Sequence, residues 1–188
     1  YARDLEGFFV ETIVHIQVHP VNDPPVLNLP LDCSNFQMNV FEDTPLSILG
    51  ISVADIDANN KKDNMTITIG ANFGSLQIST LESVNVVHLP KSQADSLSTN
   101  ANSLANKEGK PNAGDTLVLT GLVDDVNTAL KTLIYTPDHD FNGVWRVDTN
   151  TSLARNPNPD ASLESLSFFA EDAESGSIVS KCFISVIE

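Results

Sequence analysis

The chain has 188 residues, of which 41% are hydrophobic, and carries a formal net charge of −15 from 25 acidic and 10 basic residues. This hydrophobic content supports a packed core and argues against wholesale disorder. The excess of acid argues against nucleic acid and anionic membrane surfaces as partners, because both are bound through basic patches. Since no apolar run reaches about twenty residues, no membrane-spanning segment is expected.

The first predicted element is a strand over residues 10–18, where apolar and polar side chains alternate. The linker that follows contains Asn22, Asp23, Pro24 and Pro25. Proline fixes its own φ and favours an extended conformation at the residue before it, so the linker is predicted to be stiff and extended. Because the asparagine and the aspartate place oxygen atoms at this joint, the pattern suits a connector between modules that is locked by a metal ion.

Short strand-like segments then alternate with turns, which is typical of a β-sandwich. The predicted strands are residues 36–41, 46–53, 65–69, 75–78, 116–119, 132–135, 163–170 and 178–187. Residues 124–133 carry apolar side chains at helical spacing, so they are predicted to form a short helical crossover between the sheets. Two polar segments, 91–114 and 149–162, interrupt the strand pattern and are predicted to be loop insertions.

An internal repeat sets the predicted domain organisation. The sequence YARDLEG at residues 1–7 matches FAEDAES at residues 169–175, so each residue is aligned with the one 168 positions later. A shift of one residue would instead align the glycines at positions 7 and 176. From this repeat, residues 1–19 are predicted to be the last strand of a preceding module, and residues 20–188 one complete module of the same kind.

The segments VNDPPVL, EDTPLSILGISVADIDA, FGSLQIS, LTGLVDDVNTALKTLIYTPDHDFNG and LSFFAEDAESG occur in this order along the chain. Together they resemble the tandem cadherin-like repeat of large extracellular adhesins and surface proteins, over roughly residues 20–187 apart from the two insertions. The resemblance implies an all-β, Greek-key, immunoglobulin-like sandwich, strung in arrays with calcium at the junctions, and it implies no catalysis. The predicted module is longer than the roughly 100 residues of a plain sandwich of this class.

Calcium prefers six to eight oxygen ligands, and several acidic residues of this chain are expected to converge on one ion at the joint. The expected interdomain ligands are Asp4, Asn22, Asp23, Glu42, Asp55 and Asp57, and Asp172 is expected to serve the next junction. All of them except Asp4 and Asp172 fall on the calcium motifs of the resembled family. The alternative is that these residues are ordinary turn formers, since Asp and Asn favour turns without any metal.

The two cysteines, Cys33 and Cys182, have neither CxxC spacing nor a nearby histidine, so no metal or redox motif is indicated. A disulfide between them is predicted, because an even cysteine count in an extracellular chain favours pairing. In immunoglobulin-like sandwiches the later part of the first strand runs parallel to the last strand, which would bring the two cysteines together. The alternative is two separate buried thiols, since Cys182 aligns with Val14 in the repeat.

Two triplets, beginning at Asn64 and at Asn150, fit the acceptor pattern for N-linked sugars. If the source is a eukaryote that secretes the chain, a sugar is expected on at least one of them.

No G-x-S-x-G, H-E-x-x-H or glycine-rich phosphate loop is present in the sequence, so the chain is not expected to be an enzyme. The leading hypothesis is a calcium-rigidified structural module of a long, repetitive extracellular protein, such as an adhesin or a cell-surface filament. Its expected partners are neighbouring copies of the module in the same chain, other chains of a filament, or a cell-surface protein or glycan. The alternatives are a glycan- or protein-binding module that acts through an insertion, and a non-catalytic appendage of a secreted hydrolase.

Overall fold

A computed structural model describes residues 2–3, 5–35, 38–58, 62–79, 82–90, 115–139, 141, 146–147, 154–155 and 164–187. The strands are β1 (Ala2–Arg3), β2 (Phe9–Val10), β3 (Val26–Asn28), β4 (Met38–Phe41), β5 (Leu46–Ser47), β6 (Ser52–Ala54), β7 (Asn64–Ala71), β8 (Gly74–Gln77), β9 (Val84–Leu89), β10 (Asp115–Leu122), β11 (Ile134–Pro137), β12 (Arg146–Val147), β13 (Ala154–Arg155), β14 (Glu164–Glu171) and β15 (Ser177–Ile187). The helices are α1 (Leu31–Ser34) and α2 (Val123–Leu130).

Two sheets enclose the hydrophobic core. The larger sheet has the strand order β4-β15-β14-β7-β10-β9, and the smaller has the order β5-β11-β8. Neighbouring strands are antiparallel except for β4 and β15, which are parallel. The core takes alternate residues of these strands, for example Leu117 and Leu119 of β10 and Leu166 and Phe168 of β14. The all-β, sandwich-like fold predicted from the sequence is confirmed.

Helix α2 also follows the sequence prediction, because Val126 and Leu130 lie on one helical face and are both fully buried. The side chain of Asn127 in this helix makes the two backbone hydrogen bonds that a neighbouring strand would otherwise make to β6. The Asn127 Oδ1 atom accepts the Val53 N–H at 2.8 Å, and Asn127 Nδ2 donates to the Val53 carbonyl, also at 2.8 Å. Since β6 pairs with β3 along its other edge, this side chain satisfies backbone groups that the sheet leaves unpaired.

Several elements differ from the prediction. The predicted strand 46–53 is two strands, β5 and β6, separated by a bend at which Gly50 has a φ of +85°. Elements β3, α1 and β9 were not predicted. Of the predicted strand 10–18 only Val10 is in a strand, and residues 11–24 are outside regular structure and mostly exposed. Alternation selects a face, but a strand also needs a neighbour for its backbone hydrogen bonds, and none lies beside these residues in the described part of the chain.

The β1–β2 hairpin has the same register as the β14–β15 hairpin. The matching pairs are Ala2 with Val10, and Ala170 with Ile178. Each hairpin turn also contains a residue with positive φ, +94° at Gly7 and +73° at Ser175. The paired residues and the positive-φ positions of the two hairpins are separated by 168 residues, whereas the alternative alignment, which matches Gly7 with Gly176, would need 169. That residues 1–19 belong to a preceding module stays a prediction.

The strand directions give the sandwich two distinct ends. We call the end that carries the β14–β15 turn, residues 172–176, the linker end, and the opposite end, where β15 finishes at Ile187, the distal end. The residues that flank the segment 91–114 meet at the distal end, because Leu89 of β9 pairs with Thr116 of β10. Within the second predicted insertion, 149–162, the structure describes only β13, which pairs with β12 just before the insertion.

The predicted disulfide is present. Cys33 and Cys182 are bonded, their Cα atoms are 4.3 Å apart, and both residues are fully buried. The reason is the one expected from the sequence: β4 runs parallel to β15, so the chain just before β4 passes beside the middle of β15. The alternative of two separate thiols is wrong.

We expect loss of this bond to lower the free energy of unfolding by up to about 5 kcal/mol, because the bond closes a very long loop in the unfolded chain. The matched variant combines Cys33→Ala with Cys182→Val, since valine stands at the equivalent repeat position 14. Urea unfolding of the oxidised protein and of this variant measures the difference. Equal midpoints and slopes in the two proteins would contradict the prediction.

Candidate functional site

The linker is held against the linker end of the domain by direct hydrogen bonds. The Asn22 side-chain amide donates to Asp172 Oδ2 at 3.1 Å, and the Asp23 N–H donates to Asp57 Oδ2 at 2.7 Å. Pro25, two residues after Asp23, is buried. We call this set of contacts the linker latch. It fixes the position of the linker on two turns that are far apart in sequence.

Asp172 organises the first of these turns. Its Oδ1 accepts the N–H groups of Glu174 and Gly176, both at 2.8 Å, while its backbone N–H donates to the Gly176 carbonyl at 3.0 Å. An aspartate that accepts backbone N–H groups two and four residues on is a common turn-forming arrangement. The carboxylate therefore forms the turn with one oxygen and holds the linker with the other.

Gly176 lets the linker approach this turn. A Cβ atom at this position would overlap Asp172 Oδ2 and would lie 2.9 Å from Asn22 Nδ2 and 3.0 Å from the Cα of Pro24. The contacts shorter than 3.0 Å are with the two side chains that form the first latch bond, so a Cβ atom at this position could be accommodated only by moving them. A side chain at position 176 would therefore disturb the latch.

Asp55 organises the second turn, which follows β6. Its Oδ1 accepts the N–H of Asp57 at 2.8 Å and that of Ala58 at 3.2 Å. This bond aims the Asp57 carboxylate back at the linker, where it accepts the Asp23 N–H. Asp55 and Asp57, predicted as calcium ligands at the joint, lie beside the linker and accept backbone N–H groups there; their binding of calcium stays a prediction.

Two of the residues assigned to calcium lie elsewhere than expected. The Glu42 N–H donates to the carbonyl of Ile187 at 2.9 Å, so Glu42 lies at the distal end, roughly 35 Å along β15 from the latch. Asp172, expected at the next junction, instead contacts Asn22 of the linker that precedes the domain. Both assignments of position are therefore corrected. Asp4 lies outside the described residues.

The described residues do not fit a calcium site. Within the described ranges no group of three or more Asp, Glu, His or Cys side chains is placed to hold a metal ion. The oxygens that form the latch already accept N–H groups, and no buried side-chain nitrogen or oxygen among these residues lacks a hydrogen-bond partner. Calcium thus stays a prediction from the sequence.

A second polar cluster, which the sequence analysis missed, lies where the chain returns from residues 91–114. Asp115 is 3% exposed; its Oδ2 accepts the Leu76 N–H of the smaller sheet at 2.5 Å, and its Oδ1 lies 2.8 Å from Nε2 of His88. The buried carboxylate therefore ties β10 to both β8 and β9 at the base of this segment.

Glu164 plays the same part where the chain returns from the second segment. It is fully buried, and its carboxylate accepts the N–H groups of Asn72 at 3.2 Å and Phe73 at 2.6 Å. The Tyr135 hydroxyl lies 2.8 Å from the Phe73 carbonyl and 3.2 Å from Glu164 Oε2. Burial raises the pKa of Glu164, although these hydrogen bonds oppose the shift. Burial, followed by the charge of Glu164, raises the pKa of Tyr135 far above its usual value, so its hydroxyl stays protonated.

A signal for both acids is present in the sequence. Side chains two residues apart in a strand face the same side, so Asp115 lies on the same face as the buried Leu117 and Leu119. In the same way Glu164 lies on the face of Leu166 and Phe168, and each acid therefore begins its strand on the core-facing side. A carboxylate in such a position must be hydrogen-bonded, because burying it unpaired is costly.

Of the two predicted sugar acceptors, Asn64 is the first residue of β7 and its side chain is exposed. Asn150 lies outside the described residues.

We expect Gly176→Ala to displace the linker and to lower the free energy of unfolding by about 1–3 kcal/mol, the range for overpacking a close contact. Amide hydrogen exchange of Asp23 should accelerate, because its bond to Asp57 is lost. Ser175→Gly is the matched control in the same turn. Since Ser175 has positive φ, glycine there should leave the exchange unchanged and the stability equal or slightly higher. Unchanged exchange of Asp23 in Gly176→Ala would contradict the latch.

We expect Glu164 to make the protein less stable as pH rises. Its pKa is higher in the folded than in the unfolded chain, so the folded state binds more protons between the two values. The contribution is fully present below the unfolded pKa and is lost as pH rises through the folded pKa. Unfolding free energies of the wild type and Glu164→Gln, measured from pH 4 to pH 8, should show the wild type losing stability relative to the variant. A constant difference across this range would contradict the assignment.

Comparison with known families gives one match. Residues 50–163, more than half of the chain, match the family model described as Protein GAMETE EXPRESSED 2 domain. No curated protein and no solved structure matches the chain. The cadherin-like resemblance is therefore wrong, because the matching family is a different one and no cadherin or adhesin repeat family is found. The chain belongs to the Protein GAMETE EXPRESSED 2 domain family.

Proposed function

We propose that the chain is a structural module of an extracellular protein displayed on the surface of gametes, where it takes part in adhesion. The observation that carries the proposal is the buried Cys33–Cys182 disulfide, since such bonds persist in oxidising compartments and on cell surfaces but are rare in the cytosol. The link to gametes comes from the name of the family. Among the described helices, none has the length and apolar character to cross a bilayer.

The linker latch supports a structural role. The two bonds fix residues 22 and 23 on the domain, so the linker leaves the domain in a defined direction. This suits a module that transmits position along a chain. Neighbouring units of the same chain are its proposed partners, and the expectation that it is not an enzyme stays a prediction.

The location is tested on intact gametes that produce the full-length protein with an epitope tag in this domain. An antibody to the tag should label cells that have not been permeabilised. Labelling only after permeabilisation would overturn the extracellular assignment.

For adhesion, the secreted domain added in excess should reduce gamete attachment, with the Cys33→Ala, Cys182→Val variant as a folding-impaired control. Attachment unaffected by the wild-type domain would argue against a direct adhesive role.

A binding surface at the distal end is a second candidate. The bases of both polar segments lie there, anchored by Asp115 and Glu164, so the segments leave the domain at the end opposite to the linker. This placement would present them away from the preceding unit. Glycan-array and pull-down experiments should compare the wild type with a variant in which residues 91–114 are replaced by a short Gly-Ser loop. Equal binding by the two proteins would remove this candidate.

Calcium rigidification, which the sequence predicts, is tested directly with a chelator. Because the latch carboxylates already accept N–H groups, we expect the latch itself to hold without calcium, so that a chelator leaves the melting temperature and the exchange of Asp23 unchanged. The opposite result would be a calcium-dependent rise in melting temperature, following RT ln(1 + [L]/Kd), that disappears in Asp55→Ala with Asp57→Ala. Glu42→Ala, at the distal end, is the control.

A further inference from the structure

We propose that Asn64 carries an N-linked oligosaccharide at the linker end of the larger sheet. Asn64, Met65 and Thr66 form an acceptor triplet. The Met65 side chain is fully buried in the core, so Asn64, which precedes it in β7, points out of the opposite face of the sheet. Its side chain is exposed, and a sugar attached to its amide displaces no packed group.

The surroundings of Asn64 leave room for a large substituent. Lys62 and Asp63, directly before it, are exposed, and its neighbour across the ladder is Leu122, the last residue of β10. Thr66 is half-buried in the folded sheet, where its hydroxyl lies 3.2 Å from that of Thr120. Because an acceptor triplet must be recognised through its threonine hydroxyl, we place the transfer before β7 pairs with β10, while the chain enters the secretory compartment.

The chemistry needs a co-substrate of one class, an oligosaccharide carried on a lipid pyrophosphate. The Asn64 Nδ2 atom forms a bond to the anomeric carbon of the first sugar and loses one proton. The bond between that carbon and the pyrophosphate oxygen breaks, and the lipid pyrophosphate leaves with the electron pair. No redox change takes place, and Nδ2 keeps one hydrogen.

The position of Asn64 puts the sugar beside the linker latch. Thr66 pairs with Glu171, the residue before the Asp172 turn, so Asn64 lies two residues further toward the linker end in the adjacent strand. Asn64 is therefore displaced from the Glu171 position by about 7 Å along the strand direction and by about 5 Å across to the neighbouring strand. An oligosaccharide there would cover the outer face next to the latch, so a preceding unit would have to pack from the other side of the linker.

This inference rests on the proposed extracellular location, and its test separates the two. The chain is secreted from a eukaryotic host with a signal peptide supplied by the vector, in the Asn150→Gln background, so that any N-linked sugar comes from the remaining triplet. Intact mass is measured before and after treatment with a peptide-N-glycosidase. The enzyme should remove one oligosaccharide and leave an aspartate at position 64, detected by peptide mapping. Thr66→Ala should abolish the modification, and Thr66→Ser should retain it.

Unmodified Asn64 in all of the secreted Asn150→Gln protein would overturn the proposal. That result needs no variant of the triplet, so poor secretion of Thr66→Ala cannot obscure it. Because the signal peptide forces entry into the secretory pathway, a negative result concerns Asn64 alone. A failure of the native location would appear only in the gamete-labelling experiment.

Discussion

The covalent bond between Cys33 and Cys182 fixes the strand on which the rest of the domain is arranged. It attaches the start of the domain to the middle of β15, and that strand pairs with β14 on one side and with β4 on the other. The turn that leads into β15 then meets the linker through Asp172 and Gly176. One strand thus connects the crosslink, the larger sheet and the linker latch.

The buried carboxylates of Asp115 and Glu164 fix the register in which the chain returns to the sheet after each polar segment. A chain that leaves a sheet for many residues must return in register, and the closure costs conformational entropy. Asp115 and Glu164 are the first residues of the returning strands, and both bind backbone N–H groups in residues 72–76, where the chain crosses from β7 in the larger sheet to β8 in the smaller one. Charged groups buried in this way are costly unless fully hydrogen-bonded, so they also fix one register, since a slip by one residue would expose the acid and break its bonds.

Alternating side chains and the helical spacing around Val126 were sufficient to predict the all-β fold and α2. The crosslinked cysteines were predicted from their even number and from the strand arrangement expected of an immunoglobulin-like sandwich. The errors have physical causes. A turn signal such as that around Glu42 marks a reversal but not the end of the sandwich at which it lies, so Glu42 and Asp172 were placed at the wrong ends. The family was misjudged on short motifs, of which VNDPPVL and LSFFAEDAESG lie outside the matched residues 50–163. Strand β9 was missed because an edge strand shows little alternation in burial.

The disulfide also determines how the domain would respond to mechanical load. Tension applied between the linker and the end of β15 enters at residue 25, crosses from Cys33 to Cys182 through the sulfur–sulfur bond, and leaves along the last residues of the strand. The loop between the cysteines, including most of both sheets, lies outside this force path. Unfolding under tension could lengthen the domain only through the short segments on either side of the bond, because the crosslink withholds roughly 500 Å of extended chain. A reduced domain would behave as a long extensible tether, whereas the oxidised domain would be a nearly inextensible link between its two ends.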